Sequence, residues 1–93
     1  MPFDGLEISP ALKRAVLIDA LRSPLPKHFW WDYRISGHCA MGLAVHLGLS
    51  RCPTIVATSR AIGISPIKGW WAFYNPIWVF TGTKPETVAK VIS

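Results

Sequence analysis

The sequence lacks an apolar run long enough to cross a membrane, for which about 20 predominantly apolar residues are needed in a row. The run 39–49 ends at Ser50, and the run 70–80 is interrupted by Asn75 and Pro76. The first residues carry two acids where a secretory signal has its basic start. We therefore expect a cytoplasmic protein that does not associate with membranes.

Metal-binding and redox residues are also scarce, because the chain has only two cysteines and three histidines. No C-x-x-C or H-x-x-x-H pair and no glycine-rich phosphate loop is present, so we expect neither a metal ion nor a cofactor. A helix between Cys39 and Cys52 would hold their Cα atoms roughly 15–20 Å apart, whereas a disulfide needs about 5.5 Å. Both thiols are expected to be reduced.

Charged residues make up only 16% of the chain, whereas 51% is hydrophobic and the mean hydropathy is +0.30. A chain of 93 residues closes one hydrophobic core, so we expect a single domain over 1–93. The high apolar content means either that much of the chain is buried or that a partner covers some apolar surface. The net charge of +5 favours an acidic partner, either nucleic acid or protein. The cations are scattered, however, as they are on an ordinary solvated surface.

Local capping signals predict about five helices. Ser9 can cap a helix whose first residue is Pro10. Gly48 and Gly63 are placed to end two further helices, and a capping box begins at Thr83. The predicted helices are 10–22, 38–47, 53–62, 66–74 and 84–92.

Two segments rich in aromatic and β-branched residues, 28–35 and 77–82, are expected to be short strands that pair with each other. The fold class is therefore predicted to be mainly α, a single small domain of about five helices with at most a short two-stranded β element. Helix 38–47 is apolar on nearly every side and should lie at the centre. The predicted core residues are Val16, Leu17, Leu21, Ala40, Leu43, Ala44, Leu47, Ile55, Ile62 and Val88.

Cys39 is a candidate nucleophile, since a cysteine in the first turn of a helix has a lowered pKa. A thiol hydrolase or transferase also needs a base, for which His28 and His38 are the candidates. Papain-like and cell-wall hydrolases, which this helix start resembles, carry their histidine well downstream, but no histidine follows His46 here. The favoured interpretation is that Cys39 is a small buried residue and that the protein is not an enzyme.

The segment 55–74 has the order of a helix-turn-helix, with the small residue Ser59 four positions before Gly63 and a new helix after Ser65. A DNA-binding domain of this kind would use Arg60 and Lys68. A recognition helix exposes polar or basic side chains to base edges, whereas this second helix is mostly aromatic. The alternative interpretation is that the glycine only ends a core helix.

Tryptophan is abundant, with five in the chain and two adjacent pairs at 30–31 and 70–71. Adjacent rings cannot both point into one core, because neighbours diverge by about 100° on a helix and alternate on a strand. At least one ring of each pair is expected at the surface, to anchor a protein or stack on a base, unless the rings fill a thin core from both sides. The candidate partner-binding residues are Trp30, Trp31, Arg34, Lys68, Trp70 and Trp71.

Three short motifs follow one another along the chain, HCAMGLA at 38–44, AIGIS at 61–65 and TKPETVA at 83–89. Their order resembles that of a group of small, uncharacterised phage and bacterial proteins. The resemblance covers most of the chain and implies a small helical fold but no activity. By analogy, a small basic protein of a mobile element would be an accessory protein, such as an inhibitor of a host defence complex.

The leading hypothesis is a non-enzymatic interaction module, monomeric or homodimeric, that binds a protein or nucleic-acid partner through an aromatic and basic surface. The alternatives are a helix-turn-helix-like DNA-binding protein and a cysteine-dependent hydrolase or transferase.

Overall fold

Five helices make up most of the described chain, which comprises residues 8–23, 36–74 and 85–93 of the computed structural model. No strand occurs in these residues, and the mainly α fold class is confirmed. The two segments predicted as strands, 28–35 and 77–82, lie outside the described residues. The helices are α1 Pro10–Arg22, α2 Ser36–His46, α3 Ile55–Ala61, α4 Pro66–Phe73 and α5 Pro85–Ile92.

Serine caps set the starts of α1 and α4 where the sequence predicts them. The Ser9 hydroxyl accepts a hydrogen bond from the amide of Leu12 at 3.2 Å. The Ser65 hydroxyl accepts one from the amide of Lys68, also at 3.2 Å. Each helix then continues with a proline, whose missing N–H would have had no helical partner. Such caps typically contribute about 1 kcal/mol each.

The other starts differ from the prediction by one or two residues. Helix α3 begins at Ile55 and not at Pro53, because the Thr54 hydroxyl accepts from the amide of Ala57 at 3.2 Å and acts as the cap. Helix α2 begins earlier than predicted and already includes 36–37. Helix α5 begins at a proline, one residue after the predicted start, and the predicted capping residue before it lies outside the described range.

Glycines end α2 and α3 in the predicted left-handed conformation. Gly48 has a φ of 78° and Gly63 a φ of 71°. After Gly63, the amide of Ile64 donates to the carbonyl of Ser59 at 3.0 Å, which closes the last turn of α3 in the Schellman pattern. The chain reverses within four residues and enters α4.

The core is built from all the helices except α3, which contributes mainly polar residues, together with two residues that follow helix ends. Most of the predicted core residues are buried, and Val16, Leu47 and Ile55 are half-buried against the core. The core also contains residues that the sequence did not single out, among them Phe73, the largest of the fully buried side chains. These additional core residues are Met41, Leu49, Ala72, Phe73, Ala89 and Ile92.

Helices α3 and α4 approach each other most closely at Gly69. A Cβ atom at this position would overlap the Ser59 hydroxyl and lie 3.0 Å from the Ser59 Cβ atom. Ser59 and its neighbour Thr58 are fully buried, and their hydroxyls have no hydrogen-bond partner among the described residues. The close contact between α3 and α4 thus depends on the absence of a side chain at Gly69 and on the small size of Ser59.

Helix α1 is fastened to the rest of the domain by two arginines. The Arg14 guanidinium donates from Nη1 to the carbonyl of Gly63 at 3.3 Å, which ties α1 to the turn between α3 and α4. The Arg22 Nε donates to both carboxylate oxygens of Glu86, at 3.0 and 3.2 Å, and joins α1 to α5. Because the second pair is 45% and 52% exposed, it contributes at most about 1 kcal/mol.

Replacement of Gly63 by alanine should destabilise the fold. The left-handed backbone alone costs a residue with a Cβ atom about 1–2 kcal/mol, and this Cβ would also lie 2.9 Å from the Cβ of Pro10. Thermal and urea unfolding of Gly63→Ala will measure the loss. Gly63→Asn, which tolerates the left-handed region better but keeps the Cβ, separates the two contributions. Wild-type stability of Gly63→Ala would contradict the assignment of this turn.

Replacement of Gly69 by alanine should cost about 1–3 kcal/mol, the usual effect of overpacking. Ser59→Ala alone should be neutral or stabilising, because it removes a buried hydroxyl without a partner. In the double variant, Ser59→Ala should recover part of the loss, since the overlapping oxygen is gone.

Thr58→Val is the matched control, because it removes the neighbouring unpaired hydroxyl, which is not among the atoms nearest to Gly69. It should leave the cost of Gly69→Ala unchanged in a double-mutant cycle. Equal recovery by both second substitutions would refute the proposed contact.

Candidate functional site

Helix α4 exposes both of its tryptophans and its one isoleucine, and the tyrosine that follows its last residue is exposed as well. Ile67 is 76% exposed, Trp70 40%, Trp71 51% and Tyr74 40%. These positions follow the i, i+3, i+4, i+7 spacing that places residues on one side of a helix. We call this surface, made of Ile67, Trp70, Trp71 and Tyr74, the α4 apolar face.

The opposite side of α4 faces the domain with Gly69, Ala72 and Phe73, all of which are buried. Helix α4 packs on α2, α3 and α5, so its inner side is surrounded by other helices. Two small residues let those helices approach closely, and Phe73 fills the core. The tryptophans at 70 and 71 consequently lie on the outer side.

The aromatic rings of the α4 apolar face contact one another. The ring centroids of Trp70 and Trp71 are 6.3 Å apart at an interplanar angle of 83°. Those of Trp70 and Tyr74 are 5.8 Å apart at 77°. Both are edge-to-face arrangements within the favourable range for aromatic pairs. Trp70 therefore occupies the centre of a ring cluster and limits the rotamers of its neighbours.

An open groove of about 350 Å³ lies at the start of the same face. It is lined by Pro66, Ile67, Trp70 and Trp71. Except for backbone atoms these residues offer apolar surface and the single indole N–H of each tryptophan. The groove can therefore receive an apolar side chain.

The charges are unevenly distributed along the sequence that contains this face. Residues 33–85 contain no Asp or Glu, whereas cations and acids balance in 1–32 and in 86–93. The whole net charge of +5 therefore lies in 33–85, the part of the sequence that forms α2, α3 and α4. Its cations are Arg34, Arg51, Arg60, Lys68 and Lys84.

The structure brings together only some of the residues predicted as partner-binding. Lys68, Trp70 and Trp71 share α4, and Arg60 is exposed on α3, which packs against it. The Lys68 ammonium donates to the backbone carbonyl of Ser93 at 3.2 Å and so also connects α4 to the end of α5. The remaining predicted residues, Trp30, Trp31 and Arg34, lie outside the described residues.

Two residues of the α4 apolar face, Ile67 and Tyr74, were not predicted as binding residues. The sequence places both on the same side of a helix as the tryptophans, since both are three or four positions away from them. Their exposure could not be predicted, because spacing alone does not show whether an apolar stripe faces the core or the solvent.

The described residues do not test the hypothesis that Cys39 is a catalytic nucleophile. Cys39 lies in the first turn of α2, but its side chain and those of His28 and His38 are outside the described part. Cys52 is an exposed free thiol, in agreement with the predicted reduced state. Within 8–23, 36–74 and 85–93, no group of three or more His, Cys, Asp or Glu residues is arranged to hold a metal ion.

Comparisons of the chain with protein-family models, with curated proteins and with solved structures find no match. The resemblance to small phage and bacterial proteins thus stays a prediction. None of the helices in the described part of the chain is long and apolar enough to span a membrane.

Substitutions on the two sides of α4 should have opposite consequences for stability. Phe73→Ala removes a fully buried ring and should cost about 3–5 kcal/mol. Ile67→Ala removes a side chain that is 76% exposed and should change stability by no more than about 0.5 kcal/mol. Chemical denaturation of both variants checks this, and a severe loss in Ile67→Ala would show that the face is part of the core.

Proposed function

We propose that this protein is a non-enzymatic protein-interaction module that docks through the α4 apolar face. The observation that carries the proposal is the exposure of Ile67, Trp70, Trp71 and Tyr74 on one side of a single helix. Isolated exposed apolar residues are normal, but a contiguous group of this kind is typical of interaction sites. Tryptophan and tyrosine are also the residues that dominate binding energy in protein interfaces.

The geometry supports a protein partner better than a nucleic acid. The i, i+3, i+4, i+7 residues of α4 present one continuous apolar side, which is the feature that amphipathic helices use to pack on a protein partner. Ile67, the most exposed residue of the face at 76%, has no ring and cannot take part in base stacking. Helix α4 also carries a single cation, Lys68, which is few for contacts with phosphates.

Duplex DNA binding is the second candidate, favoured by the connection between α3 and α4. Two helices joined by a four-residue turn with Gly63 in the left-handed conformation have the order of elements that helix-turn-helix proteins have. In this candidate α4 enters the major groove, and Arg60 and Lys68 contact the DNA.

Site-specific crosslinking tests the leading proposal. A photoreactive phenylalanine analogue at position 67, in the full chain expressed in its source cells, should crosslink to one protein, which mass spectrometry identifies. The purified partner should then bind the wild-type chain in calorimetry, and Ile67→Ala/Trp70→Ala should weaken binding at least about tenfold.

The matched control is Leu12→Ala/Val56→Ala, which removes two apolar residues exposed to a similar extent, 51% and 47%, elsewhere on the surface. This variant should bind as the wild type does. If both double variants bind equally well, the α4 apolar face is not the docking surface.

A gel-shift assay with random duplex DNA at 50 and 200 mM salt tests the second candidate. DNA binding through Arg60 and Lys68 predicts an affinity that falls steeply with salt, and a smaller salt dependence in Arg60→Gln/Lys68→Gln. Absence of a shift at the lower salt concentration would exclude this candidate.

A further inference from the structure

We infer that the occupant of the α4 apolar face is an acidic amphipathic helix of a partner protein. This inference rests on the proposed function and adds the chemistry of the partner. Its apolar side packs on Ile67, Trp70, Trp71 and Tyr74, and its carboxylates face the basic surface around them.

The shape of the face fits a helix. Its four residues span eight positions, from Ile67 in α4 to Tyr74 directly after its last residue, or about 10 Å along the helix axis. Two turns of a partner helix present apolar side chains over the same length. The groove between Pro66, Ile67 and the two tryptophans is open on one side and can take a large apolar side chain of that helix.

The charge around the face selects an acidic partner. Residues 36–74, which the structure describes without a gap, contain no Asp or Glu. In this part of the chain the cations Arg51, Arg60 and Lys68 are all exposed. A partner with carboxylates beside its apolar side is therefore attracted to these cations, whereas a basic partner is repelled by them.

The same charge argues against a second copy of this chain. Two copies joined through α4 would each bring the exposed cation Lys68 and, on the adjoining α3, Arg60, with no Asp or Glu on either helix. Nucleic acid also satisfies the charge requirement but leaves Ile67, the most exposed residue of the face at 76%, without an apolar partner, because this side chain has no ring on which a base could stack.

Selection from a peptide library tests the inference without knowledge of the partner. The library displays 18-residue peptides with apolar residues at helical i, i+3, i+4 and i+7 positions, and with Glu, Gln or Lys drawn at random elsewhere. The full chain is the bait, at 150 mM salt. A counter-selection with Ile67→Ala/Trp70→Ala, which has the same net charge as the wild type, then removes the peptides that bind by charge alone.

The expected result is enrichment of Glu over Lys in peptides that depend on the face. A selected peptide should bind at least about tenfold more weakly to Ile67→Ala/Trp70→Ala, and about three- to tenfold more weakly to Arg60→Gln/Lys68→Gln. Leu12→Ala/Val56→Ala should retain wild-type affinity. These outcomes together support the inference.

Other outcomes would contradict either the acidic partner alone or the proposed function as well. Face-dependent peptides that are neutral or basic would overturn the acidic partner but leave the proposed function intact. A selection that yields no face-dependent peptide would overturn both. A competition assay can also identify nucleic acid as the occupant. In that case a single-stranded or duplex 20-mer oligonucleotide would displace the bound peptide at a lower concentration than unlabelled peptide does. A wild-type dimer in sedimentation, absent in Ile67→Ala/Trp70→Ala, would identify a second copy.

Discussion

The close contact between α3 and α4 at Ser59 and Gly69 is the constraint on which the rest of the structure depends. No side chain larger than hydrogen fits at position 69 while Ser59 keeps its place. The short turn through Gly63 delivers α4 onto α3 at this point, and Arg14 holds the turn against α1. Because the helices meet through small residues, α4 lies deep in the domain along one side and its orientation about its own axis is fixed.

That orientation explains why the largest side chains of α4 are outside. The inner side has room for Gly69, Ala72 and one ring, that of Phe73, which is fully buried. Rotation of α4 to bury Trp70 or Trp71 would bring a bulky group against Ser59, where even a methyl group overlaps. The exposed rings are therefore a consequence of how the helix packs. Their contact with water is unfavourable and lowers the stability that the domain would have if the rings were buried. Two unpaired buried hydroxyls beside the contact add to that cost.

Features encoded by one or two residues could be predicted from the sequence. The serine caps before Pro10 and Pro66 and the glycine caps at 48 and 63 each act locally, so the helices that they bound were placed to within about two residues. The buried face of Leu17 and Leu21 followed from helical spacing. The α4 apolar face could not be derived in this way. Its direction depends on the Ser59 contact, which joins residues of different helices, and an apolar stripe has the same spacing whether it lies inside or outside.

If the α4 apolar face is the docking surface that we propose, the uneven distribution of charge along the chain gives it selectivity. An apolar face of this size on a neutral protein would also attract other copies of itself, because hydrophobic contact has no direction and little specificity. A surface from 36 to 74 without any carboxylate adds mutual repulsion between copies and attraction to an acidic surface. Repulsion of the wrong partner and attraction of the right one are the two ways in which an interface becomes specific. In this protein both follow from one sequence property, the absence of Asp and Glu beside the tryptophans of α4.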